Sequence, residues 1–312
     1  MNGSRVIQPE KAANSYRKTI RRLWRDFPLY MMMIPGALFF IVFKYIPMYG
    51  VVMAFQNFRM ARGFFRSDWI GWANFEKVFA SAFFPVVMRN TITISLYKIL
   101  IGFPVPILIA LMLNELHNKA FKKTMQTVMY MPHFISWIVV SSLVSTFFSS
   151  STGVLAQITG HSIDWLVNPG KFRGILIVSD IWKNAGWGTI IYMAALSGIN
   201  SELYEAADME GANRFQQTIY ITLPSIWPTV LTMFILRIGG IMDAGFEQVL
   251  VMQNSSVYMV SEILGTYAYE RGYVNAEYGF GAAVNLIQSA ISFILVILVN
   301  YLSSKSGEGR LW

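Results

Sequence analysis

Six apolar runs, each close to the ~20 residues that cross a bilayer core as a helix, constrain this chain more than any other feature. They extend from Phe27 into the early fifties, then over about 90–113, 124–148, 174–199, 225–246 and 279–302. A soluble chain would break such runs into stripes with a polar face. Composition agrees, with 54% hydrophobic and 13% charged residues, against about 25% charged in an average soluble domain. The expected fold is therefore all-α: a polytopic membrane protein with six transmembrane helices. The first run follows a long basic segment and precedes no small-residue cleavage site, so it reads as a retained span rather than a secretory signal.

The net charge of +8 does not point to nucleic acid, because seven of the 25 Lys and Arg precede Pro28 in "RVIQPEKAANSYRKTIRRLWR". That placement suits a cytoplasmic anchor beside anionic lipid. With the N-terminus inside, thirteen basic residues fall in inner segments and eight in outer loops. Six spans return the C-terminus to the same side. The expected organisation is a basic cytoplasmic segment 1–26, a membrane domain 27–302 and a cytoplasmic tail 303–312, in the cell's inner (cytoplasmic) membrane. The outer loops, roughly 54–89, 149–173 and 247–278, are long and aromatic, whereas the inner loops are short except for 200–224.

Enzymatic signatures are missing. The chain has no cysteine, so no thiolate nucleophile or Cys-ligated metal is available. The Gly170-Lys171 pair is followed by Phe172 and lacks the Ser or Thr of a P-loop, and no His-Glu-x-x-His zinc motif occurs. Asp180 and Asp243 lie in spans, but "IMDAGFE" lacks the glycines that would flank an intramembrane protease aspartate. The chain reads as a non-enzyme with no cofactor or metal of its own.

The long inner loop contains "SELYEAADMEGANRFQQTIYITLP". Ser201 is the expected N-cap, without a full capping box since Tyr204 stands three residues on. Acids in the first turns favour a helix start, and Gly211 suits a left-handed stop. "ANRFQQTIYITL" predicts a second short helix, and Pro224 the first turn of the next span. The result is two short helices at an angle. A plain solvated loop is the competing reading, although four acids, Glu202, Glu205, Asp208 and Glu210, fit a partner with a basic cleft.

This segment resembles the signature of the permease subunits of binding-protein-dependent ABC importers: "EAA", three residues, "G", nine residues, "I", one residue, "LP". Glu205, Ala206, Ala207, Gly211, Ile221, Leu223 and Pro224 match it. "WIGWANFEKVF" at 69–79 resembles carbohydrate permeases of this class. "MYMPHFISWIV" at 129–139 and "IWKNAGWGTIIYMAALSGI" at 181–199 resemble its polysaccharide and oligosaccharide members. The resemblance implies a MetI-like core, with 201–224 as a coupling segment that docks on an ATPase through these residues and Asp208. It also implies a second permease subunit of different sequence, two ATP-binding subunits that hold the ATP and Mg, and an extracytoplasmic solute-binding protein.

Ionisable groups within spans each cost roughly 2.5–3.5 kcal/mol at a helix centre and need a cavity, a partner or an escape. Lys44 lies near a boundary and can snorkel, and Asp243 lies near a solvated end. Lys98, His133, Lys183 and Arg237 fall about 12–18 Å inside the span ends. Asp180 is one turn from Lys183 and is placed to neutralise it. His133 follows Pro132, so a carbonyl freed by the kink is its alternative partner. Arg237 and Lys98 could instead pair with the second permease. Lys183, beside Asn184, Trp187 and Tyr192, is the expected centre of a substrate pathway. A cationic cavity suits a polyhydroxylated or acidic solute, and Trp182, Trp187, Tyr192, Tyr267 and Tyr269 could stack on sugar rings. The expected substrate is an oligosaccharide, with uronate fragments of the alginate or pectin kind as a refinement. A permease for peptides or other small solutes, and a stand-alone channel or secondary transporter, are the alternatives.

Overall fold

The computed structural model describes residues 9–162 and 164–305. The expectations for Arg5 and Arg310, and for most of the 303–312 tail, lie outside the described residues. The chain divides into two compact units, Met1–Val52 and Met53–Trp312.

In the first unit a helix over Pro9–Phe40 continues through a wide π turn at Ile41–Tyr45 and a short helix at Ile46–Met48. Its apolar side chains are exposed, Met32 and Phe43 among them, as befits a surface that faces lipid.

In the second unit, the second span runs over Phe84–Asn114 and the sixth over Tyr278–Ser303, both long and apolar enough to cross a membrane. The expected third span is broken. Lys119–Phe134 and Trp137–Phe148 meet at 103°. The fourth helix, Pro169–Ser197, is continuous but too polar for an apolar span, since it carries Lys171, Arg173, Asp180 and Lys183. It sits at the centre of the unit, against Pro104–Asn114, Lys119–Tyr130, Met131–Phe134 and Leu223–Gly239. Gly186 makes one of these crossings possible, because a Cβ there would strike the Met129 carbonyl. Among the described residues, four helices are long and apolar enough to cross a membrane, or five with the bent pair; the fourth helix completes the six.

Prolines account for three of the four π turns among the described residues; no proline follows the fourth, Glu270–Val274. The π turns Ile41–Tyr45, Lys98–Gly102 and Thr218–Thr222 each end two residues before a proline, Pro47, Pro104 and Pro224. Proline lacks the N–H that would close the preceding turn, and its ring pushes the carbonyl four residues back, so the turn widens. The expectation that Pro224 opens a new span is thereby corrected. The fifth span is helical from Arg214 to Gly239, and Pro224 widens it from within.

Apolar side chains form three clusters. Phe75, Phe84, Leu264 and Phe280 centre the first, Ile94, Phe172, Leu176 and Ile263 the second, and Ala110, Leu196, Ile226 and Val230 the third. One small departure from an all-helical fold is a two-stranded antiparallel pair, Gln56–Asn57 with Asp68–Trp69. It is tied to the helix at Ala73–Ala80 by Asn74, which donates to the Ala54 and Gln56 carbonyls at 2.9 and 3.0 Å.

Candidate functional site

Two regions of the second unit carry polar chemistry. The first is the elbow at 201–224. Its leading helix, Ser201–Met209, is capped by Asn200 rather than Ser201: Asn200 Oδ1 accepts from the Glu202 N–H at 3.1 Å. At its end the Ala212 N–H donates to the Ala207 carbonyl at 2.9 Å and the Gly211 N–H to the Asp208 carbonyl at 3.1 Å. This is a Schellman stop, with Gly211 left-handed at φ +80° as expected. A capping box does form, but at Asn213 and Gln216, where the next helix begins. Two separate short helices are not present, because the second is the first turn of the fifth span.

Of the expected docking residues, Glu205, Ala206, Asp208, Gly211 and Pro224 are exposed, and Ala207, Ile221 and Leu223 are half-buried. Met209 and Phe215, which the sequence reading passed over, project at 90% and 73% exposure. A large apolar side chain inside a polar stretch was the available signal.

The second region is a polar cluster among the spans. Lys98 sits in the widened turn before Pro104 and is buried. Its ammonium donates to Gln248 Oε1 at 2.5 Å and lies 3.5 Å from Asp180 Oδ1. Gln248 in turn donates to the Leu176 carbonyl at 2.7 Å and to Ser179 Oγ at 2.9 Å. Arg237 Nη2 lies 3.8 Å from Asp180 Oδ2, and Asn184 Nδ2 donates to Asp180 Oδ1 at 3.0 Å. Asp180 thus bonds to Asn184 and is paired with Lys98 and Arg237, and among the described residues no ion pair joins it to Lys183, which it was expected to neutralise in part. Within this chain both Lys98 and Arg237 pair with Asp180, a partner that was not expected for them. Gln248 was missed because a lone glutamine outside a span gives no sequence signal.

Lys183 has a different position from the one expected. Its ammonium donates to the His133 and Ile135 carbonyls at 2.7 and 2.6 Å, and lies over the Trp137 ring. These carbonyls are freed where the third span breaks, so Lys183 satisfies a helix end. It does not line the cavity beside Asp180. His133 keeps its ring for other contacts: Nδ1 is 3.1 Å from Asn184 Oδ1, and the ring stacks on Trp187 at 4.6 Å. Arg237 lies in the last turn of a helix that ends at Gly239, nearer a span end than the expected limit of 246 implied. A cation there also complements the helix dipole.

A cavity of about 180 Å³ adjoins Lys98, Asp180, Asn184, Arg237 and Asp243, and a second of about 190 Å³ adjoins Phe103, Asp180, Asn184, Tyr192 and Arg237. Of the five aromatic residues offered for sugar stacking, Tyr192 alone lines either cavity, and Trp187 stacks on His133. Tyr192 lines the second cavity, Tyr267 is in the first apolar cluster, Trp182 lines an apolar groove with Phe147, and Tyr269 stacks on Tyr273.

A bundle of spans with charged cavities at its centre and an exposed, stiffly turned elbow at one end defines the membrane-embedded part of a transport machine. Residues 102–307 match the family described as binding-protein-dependent transport system inner membrane component, and the chain belongs to that family. It is 41% identical to Protein LplB of Bacillus subtilis over 93% of this chain and 92% of the relative. It is 40% identical to the polygalacturonan/rhamnogalacturonan transport system permease protein YteP of the same organism, over 97% and 94%. Among solved structures it is similar to a bacterial ABC transporter involved in the import of the acidic polysaccharide alginate. That match has a TM-score of 0.85 and 37% identity, and covers 92% of this chain and 99% of the other.

Proposed function

We propose that this chain passes oligosaccharides, foremost uronate-containing ones, into the cytoplasm by alternating access. It would do so together with a second permease subunit of different sequence, two ATPase subunits and an extracytoplasmic solute-binding protein. The observation that carries the substrate class is Arg237, whose half-exposed guanidinium lines both cavities while Lys98 holds the Asp180 carboxylate from the other side. The acidic-polysaccharide systems to which the chain is similar support the same direction. Both termini and the elbow lie on the cytoplasmic side in this reading. The elbow docks on an ATPase through Glu205, Ala206, Ala207, Asp208 and Gly211, with Ile221, Leu223 and Pro224 joining it to the fifth span, while ATP and Mg are held by the ATPase subunits. Closure of the ATPases moves the elbow, the spans open outward to receive the sugar, and hydrolysis resets them.

The test is ATP-dependent uptake by the complete complex in liposomes, supplied with binding protein and with trigalacturonate, a neutral trisaccharide or a tripeptide. Uptake of the acidic trisaccharide is expected, with loss in a Glu205→Lys variant that still inserts and assembles. Uptake of the peptide alone would refute the substrate class, and full uptake by Glu205→Lys would refute the docking role.

A further inference from the structure

Asp180, Asn184 and Arg237 line both central cavities, so any solute moving from one to the other passes them. The two cations on Asp180 are held very differently. The Lys98 side chain is 4% exposed and is bonded to Gln248 as well as paired with Asp180. The Arg237 side chain is 49% exposed, and its one ion pair, at 3.8 Å, is too long for a hydrogen bond. Its five N–H donors form a planar fork that matches a carboxylate with two parallel bonds.

We propose that Arg237 is the carboxylate-reading residue of the pathway. It leaves Asp180 for the carboxylate of a passing uronate unit and returns when that unit moves on. The proposal rests on the acidic-oligosaccharide reading above and names the group that enforces it. Asp180 tolerates the exchange because Lys98 and the Asn184 amide remain on it, so no buried charge is stranded. Asp243, the other carboxylate lining the first cavity, is exposed and makes no ion pair among the described residues, so in this structure the guanidinium is paired with Asp180. A neutral sugar offers nothing to displace Asp180, leaves the Arg237 pair closed and gains no such contact. Selectivity then arises as a difference between two solutes at one residue.

The experiment compares trigalacturonate with the same trisaccharide after carboxyl reduction, in the complete reconstituted transporter at saturating binding protein. The Arg237→Gln variant is expected to lower the import rate of the acidic trimer by about tenfold or more, the order of a lost charge-assisted bidentate contact. The rate for the reduced trimer should stay within about twofold. Equal loss on both sugars would overturn the proposal and leave Arg237 a structural residue. Should Arg237→Gln fail to assemble, Arg237→Lys decides. It keeps the charge but not the fork, so a selective loss on the acidic trimer supports the proposal, and unchanged rates on both sugars overturn it. Failure of the wild type to import either trimer would instead refute the substrate reading itself.

Discussion

The side-chain amide of Gln217 donates to Asp208 Oδ1 at 2.5 Å, across the left-handed turn at Gly211. The same amide reaches the Ala212 carbonyl at 3.2 Å, and Arg214 Nη1 donates to Gln217 Oε1 at 3.3 Å. A second tie joins the Tyr204 and Thr222 hydroxyls at 2.9 Å. The exposed helix Ser201–Met209 is therefore braced to the first turns of the fifth span, and one oxygen of Asp208 serves the brace rather than a partner. Such a brace is expected to pass a force on the helix to the span rather than let the turn fold.

Cutting this brace is expected to uncouple the machine without unfolding it. Gln217→Leu removes bonds worth about 1–3 kcal/mol, since one partner is charged. Solute moved per ATP hydrolysed should fall severalfold in proteoliposomes while hydrolysis continues. An unchanged ratio would show that the brace carries no load.

Lys183 gives a contrasting prediction. Its ammonium closes the carbonyls of the broken third span, so Lys183→Met leaves a positive charge missing and two carbonyls unpaired. A loss of about 1–3 kcal/mol is expected for each buried carbonyl left without its donor. Thermal unfolding in detergent should show a markedly lower midpoint, and the surviving transporter should keep its preference between acidic and neutral sugars. A changed preference at unchanged stability would return Lys183 to the pathway.

What could be read in advance divides along physical lines. The spans were legible because hydropathy is local, and the elbow because its signature fixes a Schellman stop at Gly211. The break in the third span was not legible. "MPHFIS" carries a proline, but a proline alone decides neither a kink nor a break, and the 103° bend is stabilised by Lys183 from 48 and 50 residues away. The partners of Asp180 failed for the same reason. Helical spacing made Lys183 the natural neighbour, whereas packing brought Lys98 and Arg237 from other spans. Pairing among distant charges depends on packing and cannot be read from spacing.

Glu262 carries a pH prediction. It lies between the fifth and sixth spans, is 1% exposed, and has one carboxylate oxygen without a hydrogen bond. Burial first, and then the nearby Glu270 carboxylate, push it up from 4.5 to about 7. The folded segment therefore keeps its proton up to about pH 7, whereas the unfolded chain loses it near 4.5. In that window the folded state binds more protons, so stability falls as pH rises and levels off above it. Glu262→Gln should raise the midpoint of thermal unfolding at pH 8, by an amount on the order of 3 kcal/mol at most. It should leave it nearly unchanged at pH 4.5, so a gain equal at both pH values would rule out titration as the cause.

Gly245 is expected to be irreplaceable, for two separable reasons. Its φ of +86° is unfavourable for any residue with a Cβ, and that Cβ would meet the Lys98 ammonium and lie 3.3 Å from Gln248 Oε1. Strain of the first kind costs about 1–2 kcal/mol. The clash adds to this as far as the Lys98 ammonium, the flexible end of its side chain, has to shift against Gln248 and Asp180. Gly245→Ala should therefore lower both the unfolding midpoint and transport. Gly240→Ala, whose nearest contact is the Arg237 carbonyl at 3.8 Å and whose φ is −95°, should be mild by comparison. Adding Lys98→Met to Gly245→Ala separates the two terms. Removing the ammonium relieves the clash but not the backbone strain, and Asp180 keeps Arg237 and Asn184. Partial recovery of the midpoint is expected, and a further fall would mean that the Lys98 ammonium stabilises Asp180 by more than the clash at Gly245 costs.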